Sequence, residues 1–390
     1  MIRALIDNGY NLTVVISNLS ERDISSKAIE ERLSNRYKGA RFFVRKHPSL
    51  LNKAKKGSTD YKKYRIYLLT LLWDKITFGK YKVSNYRLMP YNIRDTLHKI
   101  LEKESFDLVY SNYLYNFQPF LKSFGNDIVC DIHDYQYRRI ENDVIPESSY
   151  IDSKLYSLFF KKSELKALKK IDRIISISPI ESQMIREDIG HKNVYTIPAT
   201  AEDPHSIDSL SYKYDLAFIG SNSDANRDSI VWFLDQCFEN IVNEKPRIKL
   251  LIQGRITRNK LVNENDILKK YLGRNIIVKD FVENLSDVYQ ESKIMIAPVV
   301  KGSGMKIKVI EALSYKKPII GTDIAFEGIN IEDGINGIVA NTIDEFSNAV
   351  INLLDDKSKI KLLKEKAYLL YQEEHSFESC ANLLQKIVEK

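Results

Sequence analysis

The sequence predicts an α/β protein built from two doubly wound domains, and three observations lead to that prediction. The chain has 390 residues, which is more than the roughly 250–300 residues that one hydrophobic core usually serves. Short β-branched runs alternate with helical patterns along the whole chain, as they do in doubly wound folds. Most of these runs are continuously apolar, which is typical of parallel strands that are buried on both faces.

The β-branched runs mark the predicted strands. In the first half of the chain they are Leu12–Ser17, Arg41–Arg45, Asp107–Ser111, Asp127–Ile132, Arg173–Ser178 and Val194–Pro198. In the second half they are Asp215–Gly220, Ile248–Gly254, Asn275–Asp280, Lys293–Pro298, Pro318–Thr322 and Gly337–Ala340. Helical patterns lie between them, for example Ser229–Asn243 and Ser286–Ser292.

The domain boundary is predicted in the polar stretch Ala199–Tyr212, which shows neither the strand nor the helix period. We therefore expect an N-terminal domain over residues 1–205 and a C-terminal domain over residues 206–375. Residues 376–390 are predicted to form a C-terminal helix that packs back on the N-terminal domain. Because ligands of open α/β sheets bind beyond the carboxyl ends of the strands, the loops that follow strands hold the functional candidates.

The composition is that of a globular protein, with 44% hydrophobic and 28% charged residues. No apolar run approaches the roughly 20 residues that a membrane span needs, and the first residues lack the apolar segment of a signal peptide. These observations predict a cytoplasmic protein. Cys130, Cys237 and Cys380 show neither metal nor disulfide spacing, so we interpret them as small buried hydrophobic residues.

The net charge of +7 is concentrated in the first half of the chain. Such an excess indicates either an anionic partner or an ordinary lysine-rich surface. Asn52–Arg65 is rich in basic residues, and Lys154–Ile171 adds leucines at helical spacing to its lysines. The second stretch fits either a helix lying on an anionic membrane or a helix with a core-facing apolar side. No aromatic-basic recognition motif appears, so nucleic acid is not an expected partner.

The clearest functional pattern follows the predicted strand Lys293–Pro298. Gly302, Ser303 and Gly304 form a turn, and a helix is predicted to begin near Met305. The two glycines allow a ligand to approach the backbone closely. The free N–H groups at the start of such a helix bind anions.

Two lysines, Lys306 and Lys308, are predicted in the first turn of that helix. Cations are unfavourable there because the helix dipole is already positive, so an anion such as a diphosphate is expected nearby. Glu311, a little further along, is positioned to accept hydrogen bonds from ribose hydroxyls. The alternative is a generic strand-turn-helix with solvated lysines, because glycine turns alone are weak motifs.

The motif Gly-x-Gly-x-Lys-x-Lys-Val-Ile-Glu-Ala resembles the C-terminal domain of GT-B glycosyltransferases of group 1, the GT4-like kind. Further landmarks occur in the matching order, and the resemblance spans nearly the whole chain. They are Asp131-Ile-His-Asp134, Asp172-Arg-Ile-Ile-Ser-Ile-Ser178, Phe218-Ile-Gly-Ser, Leu251-Ile-Gln-Gly, Pro318-Ile-Ile-Gly-Thr-Asp and Phe326-Glu-Gly.

The resemblance implies two Rossmann-like domains that face each other across a cleft. It also implies a retaining transfer of a sugar from a nucleotide-diphospho-sugar to a glycan or lipid-linked acceptor, as in polysaccharide biosynthesis, without a cofactor or an obligatory metal. The sequence contains no Asp-x-Asp motif. Without a metal, backbone N–H groups and cationic side chains must stabilise the departing diphosphate. The implied diphosphate ligands are Gly302, Ser303, Gly304, Lys306, Lys308, Arg227 and Arg255, and Glu311 is the implied ribose ligand.

His133 and Asp134 are the implied catalytic residues of the N-terminal domain. The resemblance places this histidine near the transferred sugar, and a neighbouring carboxylate would orient its ring. A hydrogen-bonded structural histidine is the alternative interpretation. Glu327 and Gly328 follow a later strand and either close the nucleotide pocket or belong to a plain loop.

Two departures from the family pattern set limits on this interpretation. Ser303 stands where many members have the first of two paired glutamates. The family's first strand and glycine loop are absent, because Met1 already lies in the helix that follows them. We therefore expect either a start further upstream or a truncated, less active N-terminal domain, since the first strand is usually central.

Two other functions remain open from the sequence. A sugar-nucleotide epimerase also uses two Rossmann-like domains, but it would need several acidic residues in the N-terminal domain that we do not identify. A degenerate transferase that binds a nucleotide-sugar without turnover is the second alternative.

Overall fold

The structure is a computed structural model, and its described residues form two compact units. The described residues are 2–18, 25–46, 96–97, 99–112, 127–133, 135, 161–162, 164–190, 193–201, 204, 212–282, 284–302 and 304–389. The N-terminal unit comprises Met1–Ser176, Glu181–Thr196 and Ala381–Lys390, and the C-terminal unit comprises Ile177–Ile180 and Ile197–Cys380.

Parallel strands make up the N-terminal unit. Up to residue 196 the helices and strands are α1 (Ile2–Asp7), β1 (Leu12–Asn18), α2 (Ser26–Arg36), β2 (Ala40–Lys46), β3 (Val109–Asn112), β4 (Ile128–Ile132), β5 (Arg173–Ser176), α3 (Pro179–Ile189) and β6 (Val194–Thr196). The strands β1 and β2 pair in parallel, and β3, β4, β5 and β6 form a four-stranded parallel sheet in that order.

The core of the N-terminal unit lies on β4 and β5, whose residues are buried along the whole of both strands. Cys130 on β4 is fully buried, and Cys237 and Cys380 are buried in the other unit, as the sequence predicts. Arg173 on β5 donates to the carbonyls of Ile387 and Val388 at 2.8 and 2.9 Å. These contacts satisfy carbonyls at the end of the last helix that no helical N–H can reach.

Helices and strands alternate regularly in the C-terminal unit. From residue 212 onward they are β7 (Tyr214–Ile219), α4 (Asp224–Trp232), the π-helical segment Phe233–Phe238, α5 (Glu239–Glu244), β8 (Leu250–Gln253), the 3-10 turn Arg255–Arg258, α6 (Lys260–Glu264), α7 (Asp266–Tyr271), β9 (Ile276–Lys279), α8 (Ser286–Glu291), β10 (Ser292–Ala297), α9 (Ile307–Ser314), β11 (Ile319–Gly321), β12 (Ile338–Val339), α10 (Ile343–Asp355), α11 (Lys357–Leu370), the π-helical segment Tyr371–His375 and α12 (Phe377–Val388).

The six strands of this unit form one parallel sheet in the order β12-β11-β10-β7-β8-β9. The chain adds strands on one side of β7 up to β9, crosses over, and then adds β10, β11 and β12 on the other side. This is the doubly wound order, in which the connections after the two central strands leave towards opposite faces. The crevice at the carboxyl ends of β7 and β10 is therefore the place where such a sheet binds its ligand.

Both faces of the six-stranded sheet are covered. On β7, Leu216 and Phe218 pack into the hydrophobic cluster on one face, and Ala217 between them packs into the cluster on the other. On β10, Ile294 and Met295 likewise pack into the clusters on opposite faces. This arrangement explains the continuously apolar strands in the sequence, because successive side chains of a strand point to opposite faces.

Every strand of both units overlaps a predicted strand, whereas the helix bounds differ. The helical segment predicted from Ser229 begins at Asp224, where Ser223 caps it by accepting a hydrogen bond from the Asn226 N–H. Within the described ranges, no helix combines the length and apolar character that crossing a bilayer requires.

Candidate functional site

The loops that follow β7 and β10 meet at the crevice of the C-terminal unit. The Lys308 Nζ on α9 donates to the Asn226 Oδ1 on α4 at 2.8 Å. Lys301, in the loop after β10, forms an ion pair with Asp228 on α4. Two lysines of the segment 301–308 therefore contact the first turns of helix α4.

The start of α9 differs from the sequence prediction in one respect. The helix begins at Ile307 rather than near Met305, so Lys306 occupies the N-cap position and only Lys308 lies in the first turn. No side chain caps this helix start. Since the first N–H groups of a helix lack partners within the helix, α9 presents an anion-binding end flanked by two cationic side chains.

The glycine turn before α9 adopts a backbone that only glycine accepts readily. Gly302 has φ of 124° and Gly304 has φ of 77°, both in the left-handed region that disfavours residues with a Cβ. A Cβ at Gly302 would lie 3.7 Å from the Ala225 Cβ, so the turn also passes close to α4. Ser303, between the glycines, lies outside the described residues.

Lys308 occupies a largely apolar position. Its Nζ lies 4.6 Å from the centre of the Phe218 ring, and burial together with the positive charge of Lys306 lowers the pKa of Lys308 to about 8. The Lys306 Nζ donates to the Gly304 carbonyl. A bound anion would offset both effects on Lys308, because an opposite charge favours the protonated amine.

Asn226 is a site residue whose role the sequence analysis did not identify. Its Nδ2 donates to the carbonyl and the hydroxyl of Ser221 at 3.2 and 3.1 Å. These bonds fix the amide so that Oδ1 faces Lys308. In the sequence it follows the Phe218-Ile-Gly-Ser landmark by a few residues.

The two arginines predicted as diphosphate ligands make other contacts in this structure. Arg227 forms ion pairs with Asp224 and Asp228, and the Arg255 guanidinium lies 4.6 Å from the centre of the Phe281 ring. Both follow strand ends at the crevice edge. To contact a diphosphate, Arg227 would have to release the carboxylates of Asp224 and Asp228. Its role as a diphosphate ligand therefore stays a prediction.

Glu311, the predicted ribose ligand, lies one turn beyond Lys308 on α9. Its Oε2 accepts a hydrogen bond of 2.9 Å from the hydroxyl of Tyr289 on α8. Tyr289 is fully buried and stacks on Tyr315 with ring centres 4.6 Å apart. Burial raises the pKa of Glu311, whereas the Tyr289 hydroxyl acts in the opposite direction. Sequence reasoning did not identify this tyrosine.

The loop after β11 lies against the residue that precedes the lysines. A Cβ at Gly328 would be 3.4 Å from the Met305 Cε, and Gly328 itself has φ of 80°. Gly328 thus lies beside Met305, which follows the glycine turn, and Glu327 next to it is partly buried. That these two residues close the nucleotide pocket stays a prediction.

The predicted catalytic histidine, His133, directly follows strand β4 in the N-terminal unit. The carboxylate near its ring is Asp131, whose Oδ2 lies 3.8 Å from the His133 Nε2 and accepts a 2.8 Å hydrogen bond from the Tyr110 hydroxyl. Asp131 is 4% exposed, and this burial raises its pKa. Asp134, the predicted second catalytic residue, lies outside the described residues.

Part of one of the two basic stretches, Lys154–Ile171, can be placed. Residues 164–168 are helical, and Leu168 and Ile171 belong to the core of the N-terminal unit, while Lys166, Lys169 and Lys170 are exposed. This portion of Lys154–Ile171 fits the core-facing interpretation. Asn52–Arg65 lies outside the described residues.

The C-terminal unit matches a known protein family by sequence. Residues 213–356 match the sequence model of the family "Glycosyl transferases group 1". A Klebsiella pneumoniae protein described as an uncharacterized 44.6 kDa protein in the cps region is 24% identical over 288 residues, which is 71% of this chain and 72% of that protein.

Solved structures show the same fold at low sequence identity. Sucrose-phosphate synthase from Thermosynechococcus elongatus has a TM-score of 0.63 at 13% identity over 97% of this chain and 98% of its own. The Anabaena protein HepE, in complex with UDP and glucose, has a TM-score of 0.63 at 10% identity over 98% and 100%. TarM has a TM-score of 0.58 at 17% identity over 73% of this chain, and the match spans 55% of TarM.

These findings define the class of protein. The fold is GT-B, with two Rossmann-like domains of parallel α/β structure. Its C-terminal domain is similar to the group 1 glycosyltransferases over residues 213–356.

Proposed function

We propose that this protein transfers a sugar from a nucleotide-diphospho-sugar to a glycan or lipid-linked acceptor, with retention of configuration and without a metal. One observation carries the proposal. The uncapped start of α9 lies at the crevice of a doubly wound sheet and has Lys306 and Lys308 beside it. Cations at a helix start are costly unless an anion balances them, and a diphosphate supplies that charge.

The proposed chemistry follows from this charge distribution. When the bond between the sugar C1 and the diphosphate oxygen breaks, negative charge develops on the departing diphosphate. The acceptor oxygen forms the new C1–O bond, and its hydroxyl proton passes to the departing diphosphate. The N–H groups at the start of α9 and the Lys308 ammonium are already oriented before reaction, so they stabilise that charge without reorganisation. Glu311 accepts from the ribose hydroxyls in this proposal.

The donor and acceptor classes are supported by relatives and by the resemblance to group 1 enzymes. HepE was solved with UDP and glucose, and an S. aureus TarM mutant was solved with UDP and alpha-GlcNAc-glycerol. The Klebsiella relative belongs to a cps region. We therefore propose a uridine-type donor and a cell-surface polysaccharide or its lipid-linked precursor as acceptor.

His133 and Asp134 remain the proposed catalytic residues. The Tyr110–Asp131 pair holds a carboxylate near one ring nitrogen of His133, which favours a fixed ring orientation. A role for His133 in turnover predicts that His133→Ala lowers kcat far more than it lowers nucleotide affinity.

The donor base is tested by thermal stabilisation with a panel of nucleoside diphosphates, monophosphates and nucleosides. A ligand at a hundred times its Kd stabilises the folded state by about 2.7 kcal/mol. We expect one diphosphate to raise the melting temperature more than its monophosphate and nucleoside do. Equal effects of all three forms would contradict a diphosphate site.

Turnover is tested with the matching sugar nucleotide and lipid or glycan acceptors. Retention predicts a product whose anomeric configuration, read by NMR coupling constants, equals that of the donor. Metal independence predicts equal rates with and without EDTA. Conversion of the sugar nucleotide without an acceptor would indicate an epimerase instead.

A lipid-linked acceptor would bring the protein to an anionic surface. The exposed residues Lys166, Lys169 and Lys170 would then face lipid headgroups. Sedimentation with vesicles checks this, and equal partitioning onto neutral and anionic vesicles would contradict it.

A further inference from the structure

A second basic site lies at the other end of α9, where the helix closes with a Schellman motif. The Lys317 N–H bonds to the Ala312 carbonyl at 2.9 Å, and the Lys316 N–H bonds to the Leu313 carbonyl at 3.0 Å. In this motif the position of Lys317 usually holds an apolar residue that packs on the helix, and the position of Lys316 usually holds glycine. Here both positions hold lysine, and Lys316 has φ of 52°.

Lys317 is buried although it is cationic. Its side chain is among the largest fully buried ones, with 1% exposure. Its Nζ lies 4.8 Å from the centre of the Tyr212 ring. Among the described residues, Lys317 has no hydrogen bond and no ion pair through its amine. Burial, and then the charge of Lys364, lower the pKa of Lys317 to about 7.

The surroundings of Lys317 add further cations and hydroxyl groups. Lys364 on α11 donates from Nζ to the Tyr212 hydroxyl at 3.4 Å. The Lys316 Nζ lies 4.4 Å from the centre of the Tyr368 ring, one turn along α11 from Lys364. Within the described part of the chain, no carboxylate pairs with any of these three lysines. The hydroxyl of Tyr212, having accepted from Lys364, keeps its own hydrogen to donate.

The helix end does not account for these lysines. Cations are favourable near the C-terminus of a helix, but the carbonyls of Ala312 and Leu313 already accept backbone N–H groups. Burying an amine without a partner costs several kcal/mol when it is charged. A leucine or methionine would fill the same space without that cost, so the lysine indicates a charge partner that the described residues do not supply.

We propose that Lys316, Lys317, Lys364 and the Tyr212 hydroxyl form a second anion site that binds inorganic phosphate or a phosphate monoester. Ammonium groups are compact, flexible donors that bind phosphate as point charges. Lys364 beside the Tyr212 hydroxyl and Lys317 against the ring of the same tyrosine offer two ammonium groups and one O–H group to an anion with more than one negative charge. Lys316 adds a third positive charge next to Lys317 in the chain. Tyr212 is 37% exposed, so solvent reaches the cluster on that side.

This site is separate from the proposed donor site. Lys308 is the second of the eight residues of α9, and Lys317 lies three residues beyond the helix end. The part of the helix between them spans roughly 9 Å. The donor site lies at the carboxyl ends of the strands, whereas Lys317 lies just before β11 begins. The two sites can therefore be removed independently.

The test measures binding of inorganic phosphate by calorimetry to the full chain and to Lys317→Met and Lys364→Met variants. We expect each variant to bind phosphate at least about tenfold more weakly, since hydrogen bonds to charged groups are the strong ones. Lys366→Met is the matched control, because Lys366 is an exposed lysine on the same helix α11. Lys308→Ala removes a ligand of the proposed donor site. This variant is expected to bind phosphate at the second site as the original chain does.

The outcomes are distinct. Equal phosphate affinity in the original chain, Lys317→Met and Lys364→Met would overturn the proposal. Loss in Lys308→Ala alone would also overturn it, since the phosphate would then occupy only the donor site. Repeating the titration with glycerol phosphate and with vesicles containing phosphatidic acid distinguishes a soluble phosphate ester from a lipid headgroup. Either result, if abolished by Lys364→Met, supports the site.

Discussion

A lysine lies at each end of helix α9, partly buried at the start and fully buried beyond the end, and the two ammonium groups have different partners. Lys308 at the start has an oriented acceptor, the Asn226 Oδ1 at 2.8 Å, as well as an aromatic face. Lys317 beyond the end has the Tyr212 ring and a second lysine. The helix start offers N–H groups to an anion, whereas the carbonyls of the helix end are already used.

The comparison shows that the lysines at the two ends of one helix lie in different environments. In the proposed function the backbone N–H groups at the start of α9 and Lys308 bind one anion together. At the end, the side chains act without backbone help. Burial lowers the pKa of both lysines, to about 8 at Lys308 and about 7 at Lys317.

The largest expected effect is on nucleotide binding at the helix start. Replacing Lys308 by Ala removes one charged hydrogen-bond donor to the diphosphate, and such contacts contribute about 1.5–3 kcal/mol. We therefore expect UDP to bind about ten to a hundred times more weakly in calorimetry. Lys317→Met serves as control and is expected to keep the UDP affinity within about twofold. Equal losses in both variants would mean that the two ends of α9 are not independent.

The second prediction concerns pH. In the free protein the pKa of Lys308 is lowered to about 8, and a bound diphosphate raises it again. Below pH 8 the amine is already charged. Above pH 8 binding must take up a proton, so UDP affinity is expected to fall by up to about tenfold per pH unit.

Lys308→Arg is the matched variant for this pH prediction. It keeps the charge, and arginine stays protonated throughout this range. Its UDP affinity should therefore be nearly constant between pH 7 and about 9.5, where the original chain declines. A parallel decline in both proteins would assign the titration to another group.

The third prediction concerns stability at the helix end. Replacing a buried ion by a hydrophobic residue of similar volume often stabilises by about 1–4 kcal/mol, and we expect Lys317→Met to gain about 1–2 kcal/mol at pH 7 in phosphate-free buffer. In the folded chain the pKa of Lys317 is about 7, below the unfolded value of about 10.4. The unfolded chain therefore binds more protons between these values, and the original chain gains stability as pH rises through that window.

The gain of Lys317→Met should consequently be largest near pH 7 and shrink towards pH 10. Chemical denaturation at several pH values measures it, with Lys366→Met as the control that changes little. A destabilised Lys317→Met at every pH would mean that the amine has a partner in the folded protein.

The strands could be predicted from the sequence because each is a continuous apolar run, but the helix starts could not. The first turns of α4, Asp224–Asp228, are almost wholly polar, so the apolar period appears only from Ser229. The cap by Ser223 then extends the helix upstream. Likewise α9 begins at Ile307, because the positive φ of Gly304 interrupts the backbone before it.

The site shows the same division between local and distant information. The glycine turn and its lysines are local patterns, and both were found in the sequence. Asn226 contacts Lys308 across 82 residues, and Tyr289 contacts Glu311 across 22. Neither Asn226 nor Tyr289 lies in a motif of its own. The strand order of the sheet brings α4 and α9 together, and the local sequence does not show that order. The landmark Asp131-Ile-His-Asp134 holds two carboxylates, and the sequence does not show that Asp131 is the one near the His133 ring.

The smallest expected effect tests the hydrogen bond that supports Glu311. Tyr289→Phe removes the donor at 2.9 Å without changing the stacked ring. Because that bond favours the charged carboxylate, its loss raises the pKa of Glu311 further, and a protonated carboxyl is a poorer acceptor for ribose hydroxyls. UDP affinity should fall by about twofold to fivefold, which corresponds to the 0.5–1 kcal/mol of one hydrogen bond.

The matched control is Tyr315→Phe, which alters the other ring of the stack and leaves the bond to Glu311 in place. The preference for UDP over its 2′-deoxy form should shrink in Tyr289→Phe and persist in Tyr315→Phe. If instead Tyr289→Phe lowers the affinity for both nucleotides equally, Glu311 does not contact that hydroxyl. The start of α9 would then bind the diphosphate but not the ribose. It would differ from the helix end only in the backbone N–H groups that it offers to an anion.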